Sequence, residues 1–340
     1  YIAKGDLDTW EEKVKRNPLS DKSIAAMDYD NFDLAYSAYE QNDCENAIKY
    51  FMKYIQKYPD GIYSVDANFY KGECDFKNSS WDLALGHYIY VLDKPLTKFT
   101  EPALQRASWI YFKQNLFQQA MSNYAKLESM SENPQNILEA RMGLMRCAFL
   151  MQNYNQAIDF SRAVIVTEKA SNENSVEAHM IIAKSAYEML NYDLALNEFY
   201  SITQLTVSEK GAEAKYNIAR IQFAQANYKE SQKTCFDLIN QEPSYNYWIG
   251  KGLLLLADNY YANGDLFNAK YILKTVIDKS TEQDFIATAK EKLQKITEDE
   301  KKIEESRQRK AAEDIHIEFK LDDSRDNDLY GDTIKEIKNE

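Results

Sequence analysis

Histidine is scarce in this chain, with three in 340 residues, and cysteine nearly so, with four. His87, His179 and His316 are scattered, and the sequence places no serine or cysteine near them, so a nucleophilic triad has no support. No pair among Cys44, Cys74, Cys147 and Cys235 has metal-ligand spacing. A glycine-rich phosphate loop is missing. Asp326–Asp332 lacks the fifth-position ligand and the twelfth-position glutamate of a calcium loop. Basic charge is also short: 41 Lys and Arg stand against 54 Asp and Glu, a net charge of −13. That argues against phosphate-backbone binding as the main task, so no nucleic-acid partner is expected. No apolar run is long enough to span a membrane, and the four leucines at 253–256 read as core of a helix. The chain opens on Tyr1 and carries no signal-peptide pattern, so it reads as a fragment or a processed chain with no targeting signal of its own. No catalytic residue, metal or cofactor is therefore expected.

What is present is a repeat. Residues 183–199 hold Ala183, Tyr187 four later, a polar break at Asn191, then Tyr192, Ala195 and Phe199. This is the pattern of two short amphipathic helices joined by a tight turn, small residues allowing close approach and aromatics filling the space beside them. Taking Ala195 as an anchor, equivalent residues are Ala47, Ala84, Ala120, Ala157, Ser231 and Ala269. Twelve before each lie Ala35, Gly72, Ser108, Met145, Ala183, Ala219 and Ala257, of which only Met145 is large. Eight before each lie Tyr39, Phe76, Phe112, Phe149, Tyr187, Phe223 and Tyr261, all aromatic. Three before lie Cys44, Trp81, Phe117, Tyr154, Tyr192, Tyr228 and Leu266. All four cysteines fall on packing columns and are expected to be buried structural thiols.

These columns resemble the tetratricopeptide repeat over residues 28–280. The resemblance implies an all-α fold: a right-handed α-solenoid of stacked helix-turn-helix repeats closed by a C-terminal capping helix. The anchors are spaced by 36 to 38 residues, against about 34 for the ordinary repeat. Spacing within each pair is constant, so the extra residues should lie between pairs. Residues 1–27 read as the second helix of a preceding repeat (5–16, with Trp10 in phase with Ala47, expected to pack near Leu34 and Ala38) and a connector. Residues 28–281 read as seven repeats, and 282–314 as a polar helix with Phe285, Ala289, Leu293 and Ile296 on one stripe that covers the end of the array. Residues 315–340 read as an extended acidic tail, beginning with the alternating segment Ile315–Leu321.

Several stretches, FTEPALQRASWIYF, EARMGLMRCAF, GAEAKYNIARIQF and YWIGKGLLLLADNYYANGDLFNAKYIL, resemble the C-terminal repeats of large envelope tetratricopeptide proteins of Bacteroidota, grouped with the Tol-Pal accessory protein and the outer-membrane assembly lipoprotein. That resemblance implies a periplasmic, cell-envelope scaffold near outer-membrane proteins. In this repeat family the first helix of each pair lines the concave face, and the position eleven before the anchor points into it. Here the column reads Tyr36, Glu73, Trp109, Arg146, Lys184, Arg220 and Asp258. Tyr36, Trp109, Arg146, Lys184 and Arg220 are thus the candidate partner-binding residues. The three cations would receive an acidic segment or a chain-terminal carboxylate. Against this stands a bland reading, in which Glu139, Glu177 and Glu213 neutralise the column, and a rival, in which the chain's own Asp322–Asp328 fills the groove. The function expected is a non-catalytic scaffold for a protein or peptide. Alternatives are a purely structural arm of a larger complex, or glycan binding, since tyrosines outside the columns, such as Tyr245 and Tyr247, suit recognition of either kind.

Overall fold

A single turn, used seven times, sets the repeat. The computed structural model describes Glu12 and residues 24–337, with side chains from Ala26 to Glu313. Its helices are α1 (Ile24–Glu40), α2 (Cys44–Lys57), α3 (Ser64–Lys77), α4 (Trp81–Leu92), α5 (Thr100–Lys113), α6 (Phe117–Met130), α7 (Pro134–Leu150) and α8 (Tyr154–Ile165). They continue with α9 (Asn172–Glu188), α10 (Tyr192–Leu205), α11 (Glu209–Ala224), α12 (Tyr228–Ile239), α13 (Asn246–Ala262), α14 (Leu266–Lys279) and α15 (Gln283–Ile337). The first fourteen form pairs, and three residues join the helices of every pair, from 41–43 to 263–265. The middle residue is left-handed each time: Asn42, Ser79, Asn115, Gln152, Leu190 and Ala226 at φ 58° to 60°, and Gly264 at 77°. Its amide bonds the carbonyl three back, and the next amide reaches five back, as Leu190 N–H to Tyr187 O (2.9 Å) and Asn191 N–H to Ala186 O (2.8 Å). This closes the first helix by a Schellman-type cap. The seven turns fall five residues before the seven anchors. Connectors between pairs, by contrast, run from three residues (131–133) to seven (93–99), and helix length compensates, 131–133 being followed by the 17-residue α7, so the additional repeat length is shared between connectors and helices.

The chain divides into two compact units that part between Glu198 and Phe199, inside α10. Within each, every anchor from Ala47 to Ala269, Ser231 included, is fully buried at 0 % exposure. The small-residue column is buried as well, and Met145, its one large member, has a compensation. Four residues past the anchor, where other pairs carry Phe51, Tyr88, Tyr124 or Phe199, the fourth pair carries Ser161, whose hydroxyl lies 3.6 Å from Met145 Sδ. Bulk moved from one helix to its partner leaves the packed volume nearly unchanged. At Gly72 an added Cβ would meet the Tyr88 ring at 3.1 Å, so a side chain there would press that ring aside.

In the second unit α15 lays Phe285, Ala289 and Ile296 into the core formed with α13 and α14, with Leu293 partly buried beside them. From residue 301 to 313 every described side chain is exposed.

Two expectations are corrected. The backbone of 315–337 continues as helix instead of an extended tail. Residues 283–337 contain no proline and a single glycine, so nothing in the chain stops the helix once α15 has started. Cys44 and Cys74 are not free thiols but a disulfide, with Cα atoms 5.3 Å apart. It joins the start of α2 to α3 of the next pair, a proximity created by stacking. Cys147 and Cys235 are free and buried. Burial raises their thiol pKa values to about 11 and about 12. The half repeat expected at 5–16, with Trp10, lies outside the described residues.

Candidate functional site

First helices of successive pairs touch one another within each unit: α1 with α3, α5 with α7, α7 with α9, α11 with α13, and α13 with the capping α15. Their shared face carries the column expected to meet a partner. Tyr36 is partly buried, and its ring centroid lies 4.9 Å from that of Tyr70 on α3. Glu73 is held by Arg106 of α5 through two bonds, Nε–Oε1 at 3.0 Å and Nη2–Oε2 at 3.2 Å. Tyr88 O–H also donates to Glu73 at 2.6 Å. Trp109 stands edge-on to Phe76 (5.2 Å) and Trp81 (5.1 Å).

Arg146 meets Glu177 of α9 in the same two-pronged way, at 2.6 and 2.8 Å. The Glu73 and Glu177 carboxylates raise the pKa values of Arg106 and Arg146. In the second unit Asp258 receives Lys292 of α15 at 2.6 Å. Lys184 and Arg220 are partly buried, and each is engaged by the protein. Arg146 and Lys184 belong to the first unit and Arg220 to the second.

Within each unit the column thus stitches first helices together, α1 to α3, α3 to α5 and α7 to α9 in the first and α13 to α15 in the second. For Arg146 the neutralising role foreseen for Glu177 is what the geometry displays. Glu139 does not meet a cation by hydrogen bond; it accepts Gln105 Nε2 at 2.8 Å. Between these contacts the first unit holds a cleft of about 360 Å³, lined by Glu73, Phe76, Gln105, Arg106, Trp109 and Glu139 among others. The Arg106 guanidinium covers Phe76 at 4.6 Å. Of this set the sequence had marked Trp109 as a candidate, with Glu73 in the same column and Glu139 as a neutralising residue. Arg106 lies three residues before it on the same helix face, the one signal that could have found it. The cleft is a polar and aromatic recess of side-chain size, suited to recognising an extended segment. Among the described residues no group of three or more His, Cys, Asp or Glu could hold a metal ion, and no helix is long and apolar enough to cross a membrane.

Paired helices of constant internal spacing, with small residues at the close approaches of every pair but the fourth, define an all-α repeat protein. The tetratricopeptide repeat family model matches residues 32–61 and 251–280, the first and the last of the seven pairs. No curated protein matches the chain. Among solved structures, the C-terminal part of a TPR repeat-containing protein from Cytophaga hutchinsonii is 18% identical, with 76% of this chain and 98% of that one covered and a TM-score of 0.56. The apo form of RapI is 15% identical over 78% of this chain and 80% of its own, with a TM-score of 0.53. A tetratricopeptide repeat protein from Parabacteroides merdae is 15% identical, with 77% and 98% covered and a TM-score of 0.43. At such identities the first two likenesses concern the fold alone.

Proposed function

We propose that the protein is a non-catalytic scaffold that binds a protein or peptide partner along its first-helix faces, in a cell-envelope assembly associated with the outer membrane. The cleft at Trp109 carries this reading: aromatic area, a two-pronged ion pair and amide groups converge there on three successive first helices. The periplasmic placement follows the Bacteroidota resemblance. The Cys44–Cys74 disulfide supports it, because such bonds persist in oxidising compartments. An acidic segment or terminal carboxylate remains the partner chemistry proposed, though not at Arg146, where it would have to displace Glu177 from both prongs. Crosslinking in the native cell followed by mass spectrometry tests the scaffold. Recovery of a partner crosslinked at first-helix residues supports it, and crosslinks confined to the second helices would overturn it.

A further inference from the structure

One first-helix position breaks the charge pattern of the faces. Arg146 meets Glu177, so the position eleven before one anchor faces the position eighteen before the next. At that second position repeats one to three carry Tyr29, Asp66 and Pro102, repeats four to six carry Glu139, Glu177 and Glu213, and the last repeat carries Lys251, a cation. The residue that the register sets opposite is Arg220, a second cation.

Lys251 makes no ion pair among the described residues. Its ammonium lies instead over three rings of the second unit: Tyr247 at 5.1 Å, Trp248 at 5.3 Å and Tyr216 of α11 at 5.3 Å. The rings support one another, Tyr247 against Trp248 at 5.1 Å, Tyr216 against Trp248 at 5.7 Å and Tyr247 against Phe285 at 5.5 Å. Their quadrupoles hold the ammonium in place and order the lysine stem, yet leave its three N–H donors without an oxygen acceptor. In the same cluster the Trp248 indole N–H is buried and meets no acceptor. Tyr247, one of the tyrosines outside the repeat columns, is 46% exposed, so the cluster is open to solvent.

An ordered ammonium without a carboxylate, at a position where the three preceding repeats supply one, is a preorganised receptor for an anion. We propose, resting on the scaffold reading above, that Lys251 and the Tyr216–Tyr247–Trp248 cluster bind a carboxylate of the partner, from an acidic side chain or a free C-terminus. The partner's carboxylate would take the role that Glu177 plays toward Arg146.

The test uses the full chain and a fluorescein-labelled hexaglutamate peptide with a free C-terminus, followed by anisotropy at low and at physiological salt. Lys251→Met keeps the stem on the rings and removes the charge. It should weaken binding by roughly tenfold or more, as loss of a charge-assisted hydrogen bond implies, with unchanged helicity by circular dichroism. Lys251→Arg should retain binding. Arg146→Met, whose charge is already matched by Glu177, should leave it unchanged.

Equal affinity of Lys251→Met and the unaltered chain, or no binding by either, would overturn the assignment. So would a loss confined to Arg146→Met. Roughly tenfold tighter binding after truncation beyond Leu321 would give the site to the chain's own acidic tail and overturn the partner reading. Native-cell crosslinking with Lys251→Met separates the two levels. A partner recovered undiminished leaves the scaffold standing and removes this site, whereas no partner with either chain removes the scaffold itself.

Discussion

At the scale of the residue, the turns repeat a backbone state that most side chains resist. Six of the seven left-handed positions are not glycine. A left-handed residue with a Cβ costs about 1–2 kcal/mol, partly offset by the greater entropy that glycine loses on folding. Leu190 adds exposure, at 72%, to that strain. Leu190→Gly should therefore raise stability by about 0.5–1 kcal/mol in urea unfolding, and an unchanged or lower midpoint would contradict the turn geometry.

His87 makes a second residue-level case. Its Nδ1 lies 2.7 Å from Asn68 Oδ1, and its Nε2 is 3.8 Å from Asp75, which is itself bound to buried Lys71 at 2.8 Å. Burial, and then the Lys71 charge, push its pKa down from 6.5 to about 4, against the pull of Asp75. The folded state holds the ring neutral while the unfolded state protonates first, so stability present above pH 6.5 is lost as pH falls toward about 4. The loss should be on the order of 1–3 kcal/mol. His87→Gln should flatten that part of the stability-versus-pH curve, and an equally steep curve in the variant would place the dependence elsewhere.

At the scale of the element, the small-residue and aromatic columns were legible because each reports contact within one helix pair, over twelve residues or fewer. The stitching between pairs was not. Cys44 sits where five of the other six repeats place an aromatic against the first helix, and only the stacked neighbour reveals Cys74 beside it. Closing a loop with a sequence separation of 30 is worth about 3–4 kcal/mol in chain-entropy terms. Cys44→Ser with Cys74→Ser should accordingly speed amide exchange in α1 and α2 well beyond any change in α13 and α14. Uniform or absent acceleration would show that the staple does not hold the first pair. The capping stripe of α15 was equally readable, since Phe285, Ala289 and Ile296 fall on one helical face and are buried.

At the scale of the whole molecule, nearest-neighbour packing makes stability local. Overpacking an anchor costs about 1–3 kcal/mol. Ala120→Phe should lower the unfolding transition of the first unit and Ala269→Phe that of the second, as read by calorimetry with exchange mass spectrometry. If both variants shift one common transition equally, the two units unfold as one.

The sequence by itself determined the all-α class, the register of seven pairs and the buried anchors, because each depends on contacts within a pair whose internal spacing never changes. Tertiary structure alone decided which charges meet. Arg146 with Glu177, Arg106 with Glu73 and Cys44 with Cys74 are 30 to 33 residues apart. Connectors of variable length separate those partners, and the way one first helix settles against the next sets their proximity. For the same reason Lys251 could be read in the sequence as a cation within an apolar helix, while the rings that hold it come together only where α11 and α13 pack.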